Sequence, residues 1–131
     1  MDLLDQYIKE LGEDTALDEF NVRDVQMKLP AIKHKWAGRL MRAKSDNSKL
    51  ERKKKRVIKD LTQKLVKDSP VKLSLPIAEK KVQDLDDIQD IDEQIRDNEV
   101  VILFLEKAER ILNSMTFDIK NLTEIMKLET T

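Results

Sequence analysis

Apolar residues recur at helical spacing over most of this 131-residue chain. Between Leu3 and Leu11 they mark one helical face, and Gly12 follows, so a short first helix is expected to end near that glycine. The following residues lack this pattern, and Leu29 precedes a proline, which disfavours helical backbone. The sequence therefore predicts an N-terminal helix and a connector over residues 1–29.

Residues 30–69 are predicted to form one long helix. Pro30 suits its first turn, because an N–H would have no helical partner there. At about 100° per residue, one face of this helix is apolar over a sector about 100° wide. Only Asn47 and Lys54 interrupt this apolar stripe, which consists of Ile32, Trp36, Leu40, Ala43, Leu50, Val57, Ile58, Leu61 and Leu65.

Residues 70–83 are predicted to be a linker, in which the segment VKLSL alternates as a short extended segment does. From residue 84 to Met115 the pattern is helical again, and a final amphipathic helix is expected after Met115. C-terminal helices over residues 84–131 are thus expected to supply core and assembly contacts. The chain as a whole is predicted to be a single all-α domain.

The segment VVILFL, residues 100–105, is apolar on nearly all sides of its helix. Such a helix is buried from several directions, which a subunit interface provides better than a small monomer does. We therefore predict a homo-oligomer whose interface contains Val101, Ile102, Phe104, Leu105 and Leu112.

Charge is distributed unevenly along a chain whose formal net charge is only -1. Residues 1–32 carry 3 basic and 8 acidic side chains, residues 33–72 carry 15 and 4, and residues 73–131 carry 7 and 14. On the helical wheel, the cations of the long helix lie opposite the apolar stripe, with Lys35, Arg42 and Lys67 in the same sector. The densest part, here called the basic stripe, consists of Lys49, Arg52, Lys53, Arg56 and Lys59.

Three interpretations of the basic stripe are open. It is a solvated helix face, it pairs with the acidic residues of segment 84–92, or it binds a polyanion such as nucleic acid. Exposed ion pairs contribute only about 0 to 1 kcal/mol each, so pairing alone is a poor reason to concentrate so much charge. Trp36 lies on the apolar face and is expected in the core, so a nucleic acid would be contacted mainly through phosphate, without sequence preference.

Catalytic and metal-binding chemistry has little support in the sequence. There is no cysteine, and His34, interpreted as a surface residue, is the only histidine. The segment DDIQD resembles an aspartate-rich magnesium motif, but an acidic run is more typical of a helix start. We expect neither an enzyme nor a cofactor or metal. The longest apolar run is far shorter than the roughly 20 residues that span a bilayer, and the N-terminus is not a signal peptide, so a soluble protein is expected.

Two segments resemble a known family. They are KLPAIKHKWAGRL, with the pair Lys35 and Trp36, and IDEQIRDNEVVILFLEKAERILNSMTFDIKNLTEIMKLE. Both are similar to the UvsY family, the recombination mediator proteins of T-even-like phages. The matching positions in the second segment are Ile91, Asp92, Phe104, Ser114, Phe117, Ile119 and Lys120, the last three forming a turn into a last helix.

The resemblance implies a non-enzymatic helical protein that forms a ring-like or barrel-like homo-oligomer and binds single-stranded DNA in the cytoplasm of the infected host cell. Family members help a recombinase displace the single-strand-binding protein. Their Lys-x-Arg-Leu motif, implicated in DNA binding, falls here on residues 59–62, where only Lys59 is kept. We therefore assign strand binding to the basic stripe. The alternative is a helical oligomeric adaptor or scaffold that does not bind DNA.

Overall fold

The computed structural model describes residues 2–130, and this part of the chain consists of four helices. They are α1 (Leu3–Asp14), α2 (Val22–Asp68), α3 (Leu75–Gln83) and α4 (Asp86–Thr130). No strand occurs within residues 2–130. The predicted all-α fold is confirmed. No helix in the described part of the chain is long and apolar enough to cross a membrane.

Side-chain caps define the ends of α1 and the connector that follows it. The Asp2 carboxylate accepts a hydrogen bond from the Asp5 amide across 2.8 Å, which satisfies one of the free N–H groups of the first turn. In the connector, the Asp18 carboxylate accepts from the amides of Phe20 and Asn21 at 2.7 and 2.9 Å. These short local bonds stabilise a connector of only seven residues, 15–21, between α1 and α2.

The connector predicted over residues 12–29 is wrong at both ends, because α1 extends to Asp14 and α2 begins at Val22. Pro30 therefore lies inside α2 rather than at its start. A proline in a helix interior costs about 3 kcal/mol or more, since it removes one hydrogen bond and clashes with the preceding turn. Val25 and Leu29, one turn apart on the same face, are both buried, and their packing favours the longer helix.

The predicted linker, residues 70–83, contains a helix. Pro76 lies in the first turn of α3, where its fixed backbone angle favours helix formation. Ala78 and Val82, four residues apart, are fully buried and tie this short helix to the core. The extended segment expected before Pro76 forms no strand, and residues 69–74 are irregular.

Helix α4 runs without a break through Met115, so the separate final helix and the turn expected at Phe117 are wrong. The helix continues because one buried stripe continues at spacings of three and four residues. Its members are Leu105, Ala108, Leu112, Met115 and Ile119.

The chain divides into two compact units, each built from parts of α2 and α4. The first unit comprises the described residues up to Arg42 and from Val101 onward, and the second is Ala43–Val100. In the first unit, Trp36 is 1% exposed and packs edge-on against Tyr7 and Phe104, with ring centroids 5.5 and 6.3 Å apart. This confirms the core position predicted for Trp36. The assignment of the chain to a single domain stays a prediction.

Candidate nucleic-acid interface

The basic stripe lies on the exposed side of α2 within the second unit. All five of its side chains are exposed. The ion pairs found within residues 2–130 involve other cations, namely Lys28, Lys35, Arg39 and Lys54. The basic stripe is therefore a row of cations that form no ion pair with carboxylates in the described part of the chain, and they are accessible to a ligand.

The two polar exceptions in the apolar stripe contact α4, which fixes the orientation of this part of α2. Lys54 Nζ forms an ion pair with the carboxylate of Asp92 at 2.6 Å, and both side chains are largely covered. Asn98 Nδ2 donates to the Ala43 carbonyl at 2.9 Å and to Asn47 Oδ1 at 3.3 Å. With this face held against α4, the basic stripe on the opposite face points to solvent.

The acidic segment 84–92 does not neutralise the basic stripe within the described chain. Its carboxylates at Asp84, Asp86, Asp87 and Asp90 are exposed, and Asp92 pairs with Lys54 instead. Among the described residues, no group of three or more His, Cys, Asp or Glu side chains is arranged to hold a metal ion. The acidic segment thus forms the start of α4, where its carboxylates stabilise the helix by interacting with the positive end of the helix dipole.

The structure also places the four positions onto which the family's Lys-x-Arg-Leu motif would fall. Lys59 and Asp60 are exposed, Leu61 is half-buried, and Thr62 is buried at 3% exposure. No hydrogen-bond partner for the Thr62 hydroxyl occurs among the described residues. Only Lys59 of the four is both basic and exposed, and the other exposed cations of the basic stripe lie in the preceding turns of α2.

A cluster of charges joining α1 to α2 in the first unit was not predicted. Lys35 Nζ contacts Asp14 at 2.6 Å and Glu10 at 3.0 Å, and the Arg39 guanidinium donates to both Glu10 oxygens at 2.5 and 3.2 Å. The same guanidinium lies 4.7 Å from the ring centroids of Tyr7 and Trp36. The sequence did contain one indication of this cluster. The two carboxylates, Glu10 and Asp14, are four residues apart on one helix, and the two cations, Lys35 and Arg39, have the same spacing on the other.

This cluster changes the ionisation of two of its members. The hydrogen bond from Arg39 lowers the pKa of Glu10, and it outweighs the opposing effect of burial. Burial alone would lower the pKa of Lys35, but hydrogen bonds to Asp14 and Glu10 prevail and raise it. Lys35 is thus held charged and already paired, which separates it from the exposed basic stripe. Arg42 and His34 remain exposed.

The predicted interface residues divide into two groups. Val101, Leu105 and Leu112 are buried within the first unit, so their side chains offer almost no surface to a second chain. Ile102 and Phe104 are half-buried. The interface itself stays a prediction, and the apolar side chains that α4 does expose in this unit include Leu103, Ile111, Phe117, Ile125 and Leu128.

Comparison with known proteins assigns the chain to a family. The sequence profile described as "Recombination, repair and ssDNA binding protein UvsY" matches residues 10–131. The chain belongs to the UvsY family. The resemblance found in the sequence is thereby confirmed, and it places the chain among recombination and repair proteins.

Two crystal structures of the bacteriophage T4 recombination mediator protein UvsY share this fold, each with a TM-score of 0.80. The lattice type IV structure is 17% identical, and the match covers 96% of this chain and 98% of that one. The lattice type II structure is 16% identical, with 100% and 99% covered. No curated protein sequence matches the chain. The UvsY fold is therefore retained although most residues differ, and the basic stripe must be judged on its own chemistry.

Proposed function

We propose that this protein is a recombination mediator that binds single-stranded DNA without sequence preference through the basic stripe. The observation that carries the proposal is the row of five exposed cations on one face of α2, none paired with a carboxylate in the described residues. Membership of a family described as ssDNA-binding supports the choice of ligand.

Contact through phosphate is favoured over base stacking. Trp36, the one aromatic residue of residues 30–69, is buried, so no ring in the stripe is available to a base. Each phosphate neutralised on a single strand contributes about -0.7 to the slope of log affinity against log salt. Five contacts give a slope of about -3.5, which weakens binding about 100-fold between 50 and 200 mM salt.

Assembly into a ring-like homo-oligomer would multiply these contacts. The exposed apolar side chains of α4, such as Leu103 and Ile111, supply surface for a second copy. Repeating the basic stripe in each copy raises the effective concentration of cations along one strand. Modest binding by one protomer then becomes tight binding by the assembly.

The mediator mechanism that we propose is supported by the exposed basic stripe and by membership of the family. Inside the infected host cell, the assembly constrains the strand in a shape that the single-strand-binding protein tolerates poorly and that a recombinase accepts. The protein thereby helps load the recombinase onto covered strands. The mechanism requires binding surfaces but no catalytic group or cofactor.

The test is the anisotropy of a labelled oligo-dT measured at rising salt. The Arg52→Glu/Arg56→Glu double variant is expected to lose at least tenfold in affinity at low salt. The matched control, Lys107→Glu/Arg110→Glu, reverses two exposed charges on α4 and should bind as the wild type does.

Two results would overturn the proposal. Wild-type binding that is absent at low salt, or unaffected by salt, would instead favour an adaptor that does not bind DNA. A fall in assembly mass in the Arg52→Glu/Arg56→Glu variant, measured by sedimentation, would place these residues in an interface between copies.

A further inference from the structure

A groove of about 640 Å³ lies within the first unit, between the beginning of α2 and the end of α4. Pro30 supplies the exposed apolar part of its lining, and Leu29 and Ile119, which are 6% and 5% exposed, form its floor. Its α4 wall extends from Thr116 to Lys127, which corresponds to about 16 Å or three helical turns. The groove therefore has the length and the apolar lining needed to accept a short helix.

The rim of the groove is cationic. Three lysines and one glutamate line the groove, namely Lys33, Lys120, Lys127 and Glu124. Asp118 and Glu129, on the same turns of α4, do not line it. Lys120 and Lys127 are exposed and form no ion pair within residues 2–130. An apolar groove with a cationic rim complements an apolar surface flanked by carboxylates.

We propose that this groove binds a helical segment of a protein partner, with apolar side chains on one face and flanking acidic residues. The proposal rests on the proposed function only in that a mediator must hold protein partners. The apolar residues of the segment contact Pro30 and the exposed edges of Leu29 and Ile119, and its carboxylates meet Lys120 and Lys127. A nucleic acid strand would match the lysines but not the apolar lining.

The experiment uses two synthetic 14-residue helical peptides carrying a fluorescent label, with the full-length protein. Both have leucines at positions i, i+3, i+4 and i+7, and they differ in having glutamate or lysine at the flanking positions. The glutamate peptide is expected to bind at least tenfold more tightly than the lysine peptide. Lys120→Glu/Lys127→Glu should reduce that binding at least tenfold, whereas the control Lys107→Glu/Arg110→Glu should not.

A second variant tests the groove without changing its charge. Thr123 is half-buried and lines the groove, so Thr123→Trp should fill the space and weaken the glutamate peptide at least fivefold. Circular dichroism of the Thr123→Trp variant should show the same helix content as the wild type. If the glutamate peptide binds no better than the lysine peptide, or binds Thr123→Trp unchanged, the groove is not a docking site.

Two further readouts separate this proposal from its rivals and from the proposed function. A loss of assembly mass in Lys120→Glu/Lys127→Glu would assign the groove to a second copy of the chain and overturn the proposal. A loss of oligo-dT affinity as large as that of Arg52→Glu/Arg56→Glu would assign it to the strand, with the same consequence. Peptide binding that persists in Arg52→Glu/Arg56→Glu supports the groove even if strand binding fails.

Discussion

The indole nitrogen of Trp36 donates a hydrogen bond to the Asp14 carboxylate across 2.8 Å, and the same carboxylate oxygen accepts from Lys35. One acidic side chain at the end of α1 therefore contacts two consecutive residues of α2. Since Trp36 is buried in the first unit, this contact anchors α1 to the core of that unit.

Replacing Asp14 should destabilise the protein. Asp14→Ala removes the acceptor of the buried indole N–H and leaves it unpaired, which we expect to lower the free energy of unfolding by about 1 to 3 kcal/mol. Urea unfolding followed by Trp36 fluorescence measures the change. Glu13→Ala, which removes an exposed carboxylate one residue earlier, is the control and should stay within about 0.5 kcal/mol of wild type. Equal effects of the two substitutions would contradict this account.

Acid should weaken the contact between Glu10 and Arg39. Because the hydrogen bond from Arg39 lowers the pKa of Glu10 in the folded chain below its ordinary value of 4.5, the unfolded chain binds the proton more readily. The stabilisation is complete above that ordinary value and is lost as pH falls through the lowered folded value. The difference in unfolding free energy between wild type and Glu10→Gln should therefore shrink on acidification. A difference that stays constant down to low pH would refute the linkage.

Alkali should weaken the same cluster through Lys35. Its pKa is raised above the ordinary value of 10.5, so its stabilising effect is fully present below that value and disappears as pH rises through the folded value. Unfolding of Lys35→Met alongside wild type measures this contribution. We expect the two proteins to converge in stability only at strongly alkaline pH.

Substitutions at two leucines of α4 should distinguish residues that pack within the chain from residues that contact a second copy. Leu105 is 1% exposed and Leu103 is 55% exposed, although they are two residues apart. Leu105→Ala should lower the free energy of unfolding by about 2 to 5 kcal/mol, because it opens a cavity in the core. Leu103→Ala should leave helix content intact but lower the assembly mass measured by sedimentation. An unchanged mass at micromolar protein would remove Leu103 from the interface.

Lys54 should not contribute to strand binding, even though it lies in the most basic part of the sequence. Its ammonium is paired with Asp92 on the covered face of α2. Arg56→Gln is expected to reduce the salt slope of oligo-dT binding by about 0.7 in each protomer, corresponding to one lost phosphate contact. Lys54→Gln should leave the slope unchanged. Equal reductions in both variants would show that total charge, and not the exposed stripe, determines the affinity.

Gly38 offers a stabilising substitution in the middle of α2. A Cβ atom placed there would meet no atom within 4 Å, so an alanine fits without displacing any neighbour. Gly38→Ala should raise the free energy of unfolding by about 0.5 to 1 kcal/mol, because alanine loses less backbone entropy in a helix. Thermal unfolding monitored by circular dichroism measures the gain. A loss of stability would indicate a contact at this position that the isolated chain does not contain.

The parts of the fold that depend on local periodicity could be predicted from the sequence. The phase of the apolar stripe placed Trp36 in the core and the basic stripe on the opposite, exposed face, because both follow from the pitch of a single helix. The extent of α2 and α4 could not be predicted in this way. A proline disfavours helical backbone at the residue before it, here Leu29. Val25 and Leu29 nevertheless become buried in the folded chain, and this gain is not visible in the local sequence.

The contacts of the site required more than periodicity. The exposure of the five stripe residues was predictable, whereas the pairing of Lys54 with Asp92 depends on how α4 lies against α2. The cluster around Asp14 joins residues 21 to 29 positions apart, and no single helical wheel contains both partners. The burial of Leu105 and Leu112 inside the chain was also missed, because an all-round apolar helix gives the same pattern in a core and in an interface.

The short extent of the basic stripe sets a unit of length for binding. Its ends, Lys49 and Lys59, are separated by about 15 Å of helix rise, which spans about four intervals, and so about five phosphates, at the 3.4 Å spacing of stacked nucleotides in one strand. An oligonucleotide with about five phosphates would thus saturate one protomer and gain nothing from the presence of its neighbours. Longer oligonucleotides should bind more tightly in discrete steps, each marking the length at which one more subunit is reached.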